Sequence, residues 1–252
     1  MQRFLTIIFV FFFLFNPAWG ICDGIQVITV ASEEWENNTN KNGTGLYWDI
    51  IRKVYELENI KLKIRLVPYA RSVHMVKVKK ADAWAASYID EETFALYPKW
   101  HFDADIVSAL FQKARFPDWK GVQSLANKTV GWVRGYDYDQ YIDVKMNIDE
   151  LNSRDSALAM LQKNRIDVLL DALVEIQNEL KKKDKLKKLD FNINNYRIEQ
   201  LLQLNLYLAF VKNERGKQLM AIWDKNFPVL LKKGYIKKLY EKYKLARYPF
   251  KE

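Results

Sequence analysis

The hydrophobic pattern of this 252-residue chain switches repeatedly between a strand period and a helix period. Gln26 to Ala31 is a β-rich run that predicts the start of a buried strand. Ser32 to Gly45 is polar and rich in Asn, Thr and Gly, which predicts a loop. Apolar residues at 46, 47, 50, 51, 54, 55 and 57 then share one helical face within Leu46 to Glu58. Leu62 to Val67 alternates like a strand, and Pro68 ends it. Arg71 to Ser87 follows as an amphipathic helix, a basic break, Asp82 and a short apolar strand. Residues 26–87 therefore predict β-α-β-α-β, an α/β lobe with parallel strands.

The last unit recurs half a chain later, from Arg154 to Ala172, with Asp167 in the place of Asp82. Around it the pattern predicts a second lobe. Lys120 to Ala126 is a short helical segment, and Thr129 to Val133 is a strand. Arg134 to Asp137 turns into a helix, Ile142 to Ile148 contains a strand, and Leu173 to Lys182 is helical. Two apolar runs stand outside both lobes, Ala104 to Phe111 and Leu204 to Val211. They predict two crossings between the lobes, near Ala104 to Phe111 and near Leu201 to Val211, and two crossings make a hinge. Glu214 to Tyr243 is helical, broken by Pro228 and Gly234, and its helices need the first lobe's sheet to cover. The expected division is a leader at 1–20, lobe one at 21–108 and 205–252, and lobe two at 109–204.

The leader has a short basic start, an apolar run from Phe4 to Phe15, a break at Asn16-Pro17 and small residues at 18 and 20. That is the layout of a cleaved secretory signal, so the mature chain is expected in the periplasm. Ile21 before Cys22 argues against lipidation, and a single cysteine excludes an internal disulfide. Folding must then rest on a core, for which 49% hydrophobic and 14% aromatic content suffices. The formal charge is +9, but export argues against nucleic acid as partner. The run Lys181 to Lys188 reads as a solvated helix end, because it interleaves no aromatics. Tyr235, Ile236, Leu239, Tyr240 and Tyr243 fall at helical spacing, so the basic C-terminal stretch reads as a packed helix.

Two lobes enclose a cleft, where small ligands tend to bind. Arg71, at a helix start, can hold a carboxylate through two parallel hydrogen bonds; the alternative is a surface arginine. Arg134, Gly135 and Tyr136 link a strand to the expected helix, whose N-terminus would favour an anion; the alternative is a plain turn. Asp171 ends the strand Val168 to Leu170, where ligands of open α/β sheets lie; the alternative is a helix cap. Trp35, Tyr47, Trp84, Tyr88 and Trp132 are large aromatics near strand ends or loops. They can wall an organic ligand or face a cation, or can simply be core. Trp35, Tyr47, Trp84 and Tyr88 are kept as ligand candidates with Arg71, Arg134, Gly135, Tyr136 and Asp171. His74 and His101 offer no metal-ligand spacing, and neither a nucleophile elbow nor a phosphate loop is present.

The chain resembles the extracellular solute-binding proteins of family 3, polar-amino-acid receptors of ABC transporters. The resemblance runs from about Gln26 to Leu245. It is carried by Gly45 to Asp49, Pro68 to Ala83, Ser124 to Gly131, Ala157 to Asp171, Leu206 to Val211, Lys232 to Ile236 and Tyr243, in that order. It implies a hinged two-lobe fold of the second periplasmic-binding-protein type, a small polar solute, an inner-membrane ABC permease, a monomer, no cofactor and no catalysis. It also implies that Asp171 pairs with a ligand ammonium. One departure matters. The family's Thr-x-x-Arg carboxylate clamp is missing after Ser87, and no arginine follows until Arg115. The solute is therefore left open between an amino-acid-like molecule and another organic ion. The alternatives are a dehydratase-like periplasmic enzyme on the same fold, or a sensor or binder of anionic envelope material.

Overall fold

The computed structural model describes residues 24–245 and 248–250. The expected leader at residues 1–20, with Ile21 and Cys22, lies outside the described residues. No helix among the described residues is long and apolar enough to cross a membrane.

Strand β1 (Val27–Ser32) runs parallel between β2 (Lys61–Leu66) and β3 (Ala83–Ser87). Helices α1 (Leu46–Glu56) and α2 (Tyr69–Lys77) connect these strands. The second lobe repeats the arrangement. Strand β6 (Thr129–Val133) lies parallel between β7 (Asn147–Leu151) and β8 (Val168–Ala172). Helix α3 (Arg154–Gln162) joins β7 to β8, and α4 (Leu173–Leu180) and α5 (Lys183–Lys188) follow.

Two long antiparallel strands tie the lobes together. They are β5 (Asp103–Gln112) and β9 (Tyr196–Val211), paired from Asp103 with Leu206 to Gln112 with Tyr196. The end of β9 pairs with β3, and also with β4 (Ala95–Leu96), while β5 pairs with β8. A single sheet results, in the order β2-β1-β3-β9-β5-β8-β6-β7. Midway along the crossing, Val107 faces Leu202 but Ser108 faces Gln200. Leu201 is therefore an extra residue in β9, a bulge that bends its strand.

The two copies of the repeated unit use their aspartates identically. Asp82 accepts a hydrogen bond from Thr29 N at 2.8 Å, and its own N–H donates to Thr29 O at 2.8 Å. Asp167 does the same to Thr129, at 2.8 and 2.7 Å. Each aspartate also receives an arginine from elsewhere, Arg215 on Asp82 at 2.6 Å and Arg115 on Asp167. Both stand before their strands begin, at the edge remote from the strand C-termini.

The C-terminal helices α6 (Glu214–Lys232) and α7 (Tyr235–Lys242) cover the first lobe. Trp223 and Phe227 of α6 stack at 5.1 Å and are fully buried with Trp48 and Tyr55 of α1. Burying side chains of this size contributes roughly 2 kcal/mol each. Tyr55 hydroxyl donates to Leu219 O at 3.0 Å, and Asn226 donates to Val54 O at 3.1 Å. These polar atoms therefore enter the core with partners. The second lobe has its own core around Leu158, Leu161, Ile166 and Ile176.

Three sequence expectations need correction. The strand expected within Ile142 to Ile148 forms at Asn147–Leu151, because the Val144 N–H turns back onto Ile142 O and leaves 142–146 irregular. No α-helix follows Arg134 to Asp137. Asp137 is left-handed (φ 45°), and only a 3-10 turn forms at Tyr138–Tyr141. Helix α6 continues through Pro228, carried by its buried face, and the break comes at Gly234 alone, at φ 70°.

The loop after β1 depends on one glycine. Gly45 has φ 129° and ψ 158°, and a Cβ there would stand 2.3 Å from Asn38 O. That conformation is essentially restricted to glycine. Tyr47 N donates to Asn38 O at 3.1 Å, so the close approach fixes the Trp35–Asn38 turn against the start of α1. Gly45→Ala is expected to cost about 2 kcal/mol or more, read as a lower urea midpoint at unchanged slope.

Candidate functional site

The β1, β3, β6 and β8 strands end at a cavity of about 300 Å³ between the lobes. Trp35, Tyr47, Tyr69 and Tyr88 line it from the first lobe, and Tyr136 and Tyr138 from the second. Asp103 and Asp105 enter from β5, and Asp171, Glu175 and Arg154 from the second lobe.

The centre of the polar wall is Arg154. Ser153 caps α3 by accepting from Ser156 N at 3.2 Å, which fixes Arg154 at the first helical position. From there Nε donates to Asp171 Oδ2 at 2.7 Å and Nη2 to Oδ1 at 3.3 Å. Nη2 also donates to the Tyr136 hydroxyl at 2.6 Å, and Nη1 to Glu33 Oε1 at 3.1 Å. Glu175, in the first turn of α4, is 3.6 Å from Nε. Glu33 follows β1, so this guanidinium joins the first lobe to the second. Three carboxylates thus share one cation in a largely buried position. Burial pushes the Glu33 and Glu175 carboxyls up, Glu175 to about 7, although Arg154 opposes the shift in both. Burial acts to lower the Arg154 pKa, but Asp171, Tyr136, Glu175 and Glu33 outweigh it and hold the guanidinium firmly charged.

Beside the cavity lies a second buried carboxylate. The Tyr69 hydroxyl is 2.7 and 2.8 Å from the two oxygens of Glu91, which also accepts from Ser87 Oγ at 2.7 Å and Tyr88 N at 3.1 Å. Burial raises Glu91 to about 7 despite these donors. At the crossing, Asp103 accepts from the Tyr47 and Tyr240 hydroxyls, each at 2.7 Å. The residue Ala86, which lines the cavity, has φ 64° where β3 shifts register against β9. A left-handed non-glycine residue in a strand stores strain at the cavity wall.

The lobes touch across the cleft. Tyr69 and Tyr136 meet edge to face at 5.4 Å, and Tyr88 meets Tyr141 at 5.2 Å. Gly135, at φ 85°, packs on Ala70, and a Cβ there would approach Ala70 Cβ to 3.1 Å.

Of the residues singled out from the sequence, Trp35, Tyr47, Tyr88, Tyr136 and Asp171 line the cavity together. Arg71, Trp84, Arg134 and Gly135 do not. Arg71 is exposed on α2. Trp84 is fully buried, its Nε1 donating to the Tyr69 hydroxyl at 3.3 Å. Arg134 is 61% exposed and 3.9 Å from Glu150, since the turn it occupies starts no α-helix. Gly135 serves the interlobe contact. Trp132, considered above, is buried core. Asp171 is not the cap of α4: the cap is Ala172, and no side chain closes it. Sequence reasoning missed Arg154, Glu33, Glu175 and Tyr69. Arg154 is the first helical residue of α3 as Tyr69 is of α2, so the repeat itself was the available signal.

No protein-family model and no curated relative matches the chain. Solved structures do match it. A histidine kinase sensor domain with similarity to periplasmic binding proteins superposes with a TM-score of 0.68 at 14% identity, covering 89% of this chain and 98% of that one. An ancestral arginine-binding protein bound to arginine gives 0.66 at 15%, covering 86% and 98%. The GluR0 ligand-binding core from Nostoc punctiforme with L-glutamate gives 0.65 at 14%, with the same coverage. The fold is therefore the two-lobe periplasmic-binding-protein-like fold that solute-binding proteins of the family 3 type share.

Two outcomes follow from the charge arrangement. Arg154→Ala is expected to cost about 3–5 kcal/mol, because it strands buried carboxylates without a partner; chemical denaturation measures it. Glu175 and Glu91 bind their protons more tightly folded than unfolded, with pKa values near 7 against an ordinary 4.5. Their contribution to stability is complete below about pH 4.5 and fades as the pH rises through 7. Urea midpoints are expected to fall between pH 5.5 and 8, and Glu91→Gln to flatten that fall.

Proposed function

We propose that the chain is a solute-binding protein that captures a small organic solute between its lobes. One observation carries this reading: a cavity whose aromatic and charged groups come from both lobes, closed by the Glu33–Arg154 pair at 3.1 Å. A solute there contacts both lobes, so it favours the closed form and shifts the population toward it. The moving bodies would be residues 21–108 with 205–252, and residues 109–204. The bulge at Leu201 lies in the crossing, where a bend in β9 can absorb the rotation while most ladder bonds of β5 and β9 persist. Opening would break the Glu33–Arg154 pair and separate Tyr69 from Tyr136. The Arg154–Asp171 pair lies within one lobe and would survive.

The working context follows from the same reading. The chain would act in the periplasm, its leader removed, and present the closed form to a membrane partner such as an ABC permease. The relatives in structure include proteins solved with arginine and with glutamate, which supports solute capture as the use of such a cleft.

The test is a thermal-shift screen of the mature chain against amino acids, organic acids, amines and sugars. A cleft solute at a hundred times its Kd is expected to stabilise the protein by about 2.7 kcal/mol. It should also shrink the radius of gyration in solution scattering. If no solute raises the Tm and none changes the scattering, the proposal is wrong.

A further inference from the structure

The inner surface of the cleft is continuous aromatic wall. Six rings follow one another from lobe to lobe: Tyr47, Trp35, Tyr69, Tyr136, Tyr138 and Tyr88. Successive centroids are 6.3, 6.1, 5.4, 5.8 and 6.2 Å apart. The faces of such rings carry negative potential and attract cations. The protein's own guanidinium illustrates this, since Arg154 Cζ lies 5.5 Å from the centre of the Tyr136 ring.

The charges in the wall have the same sense. Arg154 faces three carboxylates, Glu33, Asp171 and Glu175, at 3.1, 2.7 and 3.6 Å. Its Nε, Nη1 and Nη2 groups already donate to Asp171, Glu33 and the Tyr136 hydroxyl. Four of its five N–H groups are so engaged, and a carboxylate entering the cavity would meet the three carboxylates gathered around it. Among the described residues, Arg154 is the only arginine or lysine lining the cavity. Asn38 lines the cavity, and its Oδ1 is buried with no hydrogen-bond partner. An unmade bond of this kind is costly.

Resting on the solute-binding reading above, we infer that the solute of this cleft is a small organic ammonium ion carrying no carboxylate, held by the tyrosine collar within the ring of carboxylates. The cavity volume of about 300 Å³ limits it to a small molecule. Proton linkage accompanies capture. Glu175 faces Arg154 of α3, Asp171 of β8, Glu33 after β1 and Glu179 on its own helix, and Asp103 and Asp105 of β5 line the same space. Burial among these groups keeps Glu175 partly protonated near neutrality. An arriving cation favours its ionised form, so binding releases a proton and strengthens as the pH rises.

The experiment is calorimetric titration of the full mature chain with choline, tetramethylammonium, glycine betaine, an α-amino acid and 3,3-dimethylbutan-1-ol, the neutral isostere of choline. Choline or tetramethylammonium is expected to bind at least tenfold more tightly than the isostere and than betaine. Affinity is expected to rise from pH 5.5 to 7.5, with proton release seen as a dependence of the heat on the buffer. Glu175→Gln should fold with a Tm close to the parent at pH 6, bind the cation at least tenfold more weakly at pH 7.5 and lose the pH dependence. If the isostere binds as well as choline, or an amino acid or betaine binds and the simple ammonium ions do not, the inference falls and solute binding stands. If none of these and no other solute binds, both fall.

Discussion

The guanidinium of Arg154 is the interaction on which the closed cleft depends. It holds Asp171 and Tyr136 within one lobe and reaches Glu33 in the other. A buried ion pair of this kind adds little net stability when its desolvation is counted. Its effect is on which arrangement persists. Without the cation, three carboxylates and a tyrosine hydroxyl would face one another, to be relieved by protonation or by the lobes parting. With it, closure brings opposite charges together and still leaves the wall short of positive charge. The site is therefore closed and electrostatically unfinished.

The rest of the molecule serves to place that residue. A capping serine starts α3 where the guanidinium can reach β8, and β8 lies between β5 and β6 so that Asp171 stands at the strand end facing the other lobe. The loop after β1 brings Glu33 across, held through the tight approach of Gly45 to Asn38. The long pair β5 and β9 then sets the distance between the lobes, with its bend confined to a single extra residue.

Much of this architecture was legible in the sequence because it follows from periodicity. The two α/β units, the crossings and the helical C-terminus are written in apolar spacing. The failures were local. Pro228 reads as a break, but Trp223, Phe227 and Leu230 of α6 are buried on either side of it and the helix persists. Gln200 to Gln203 in β9 is amphipathic and only partly buried, so the strand's first half escaped notice. The site was legible in its walls and illegible in its charges. Trp35, Tyr47, Tyr88 and Tyr136 stand near loop and strand ends that the pattern marks. Which side chain of a helix's first turn enters the cleft depends on its position in that turn, and that is a three-dimensional matter. Arg71, third in α2, is exposed, whereas Tyr69 and Arg154, first in α2 and α3, both line the cavity.

The twin clamps at Asp82 and Asp167 have a broader implication. Each fastens the backbone of two parallel strands at the end remote from the cleft, and each is braced by an arginine from a distant segment. The floor of each lobe is thereby bolted independently of whatever decorates its rim. Side chains at the rim can be exchanged with the chassis left undisturbed. Under the proposed solute capture, the same separation would let each half travel as a solid block, with work done at the cleft delivered to the hinge and not lost in deforming the sheets.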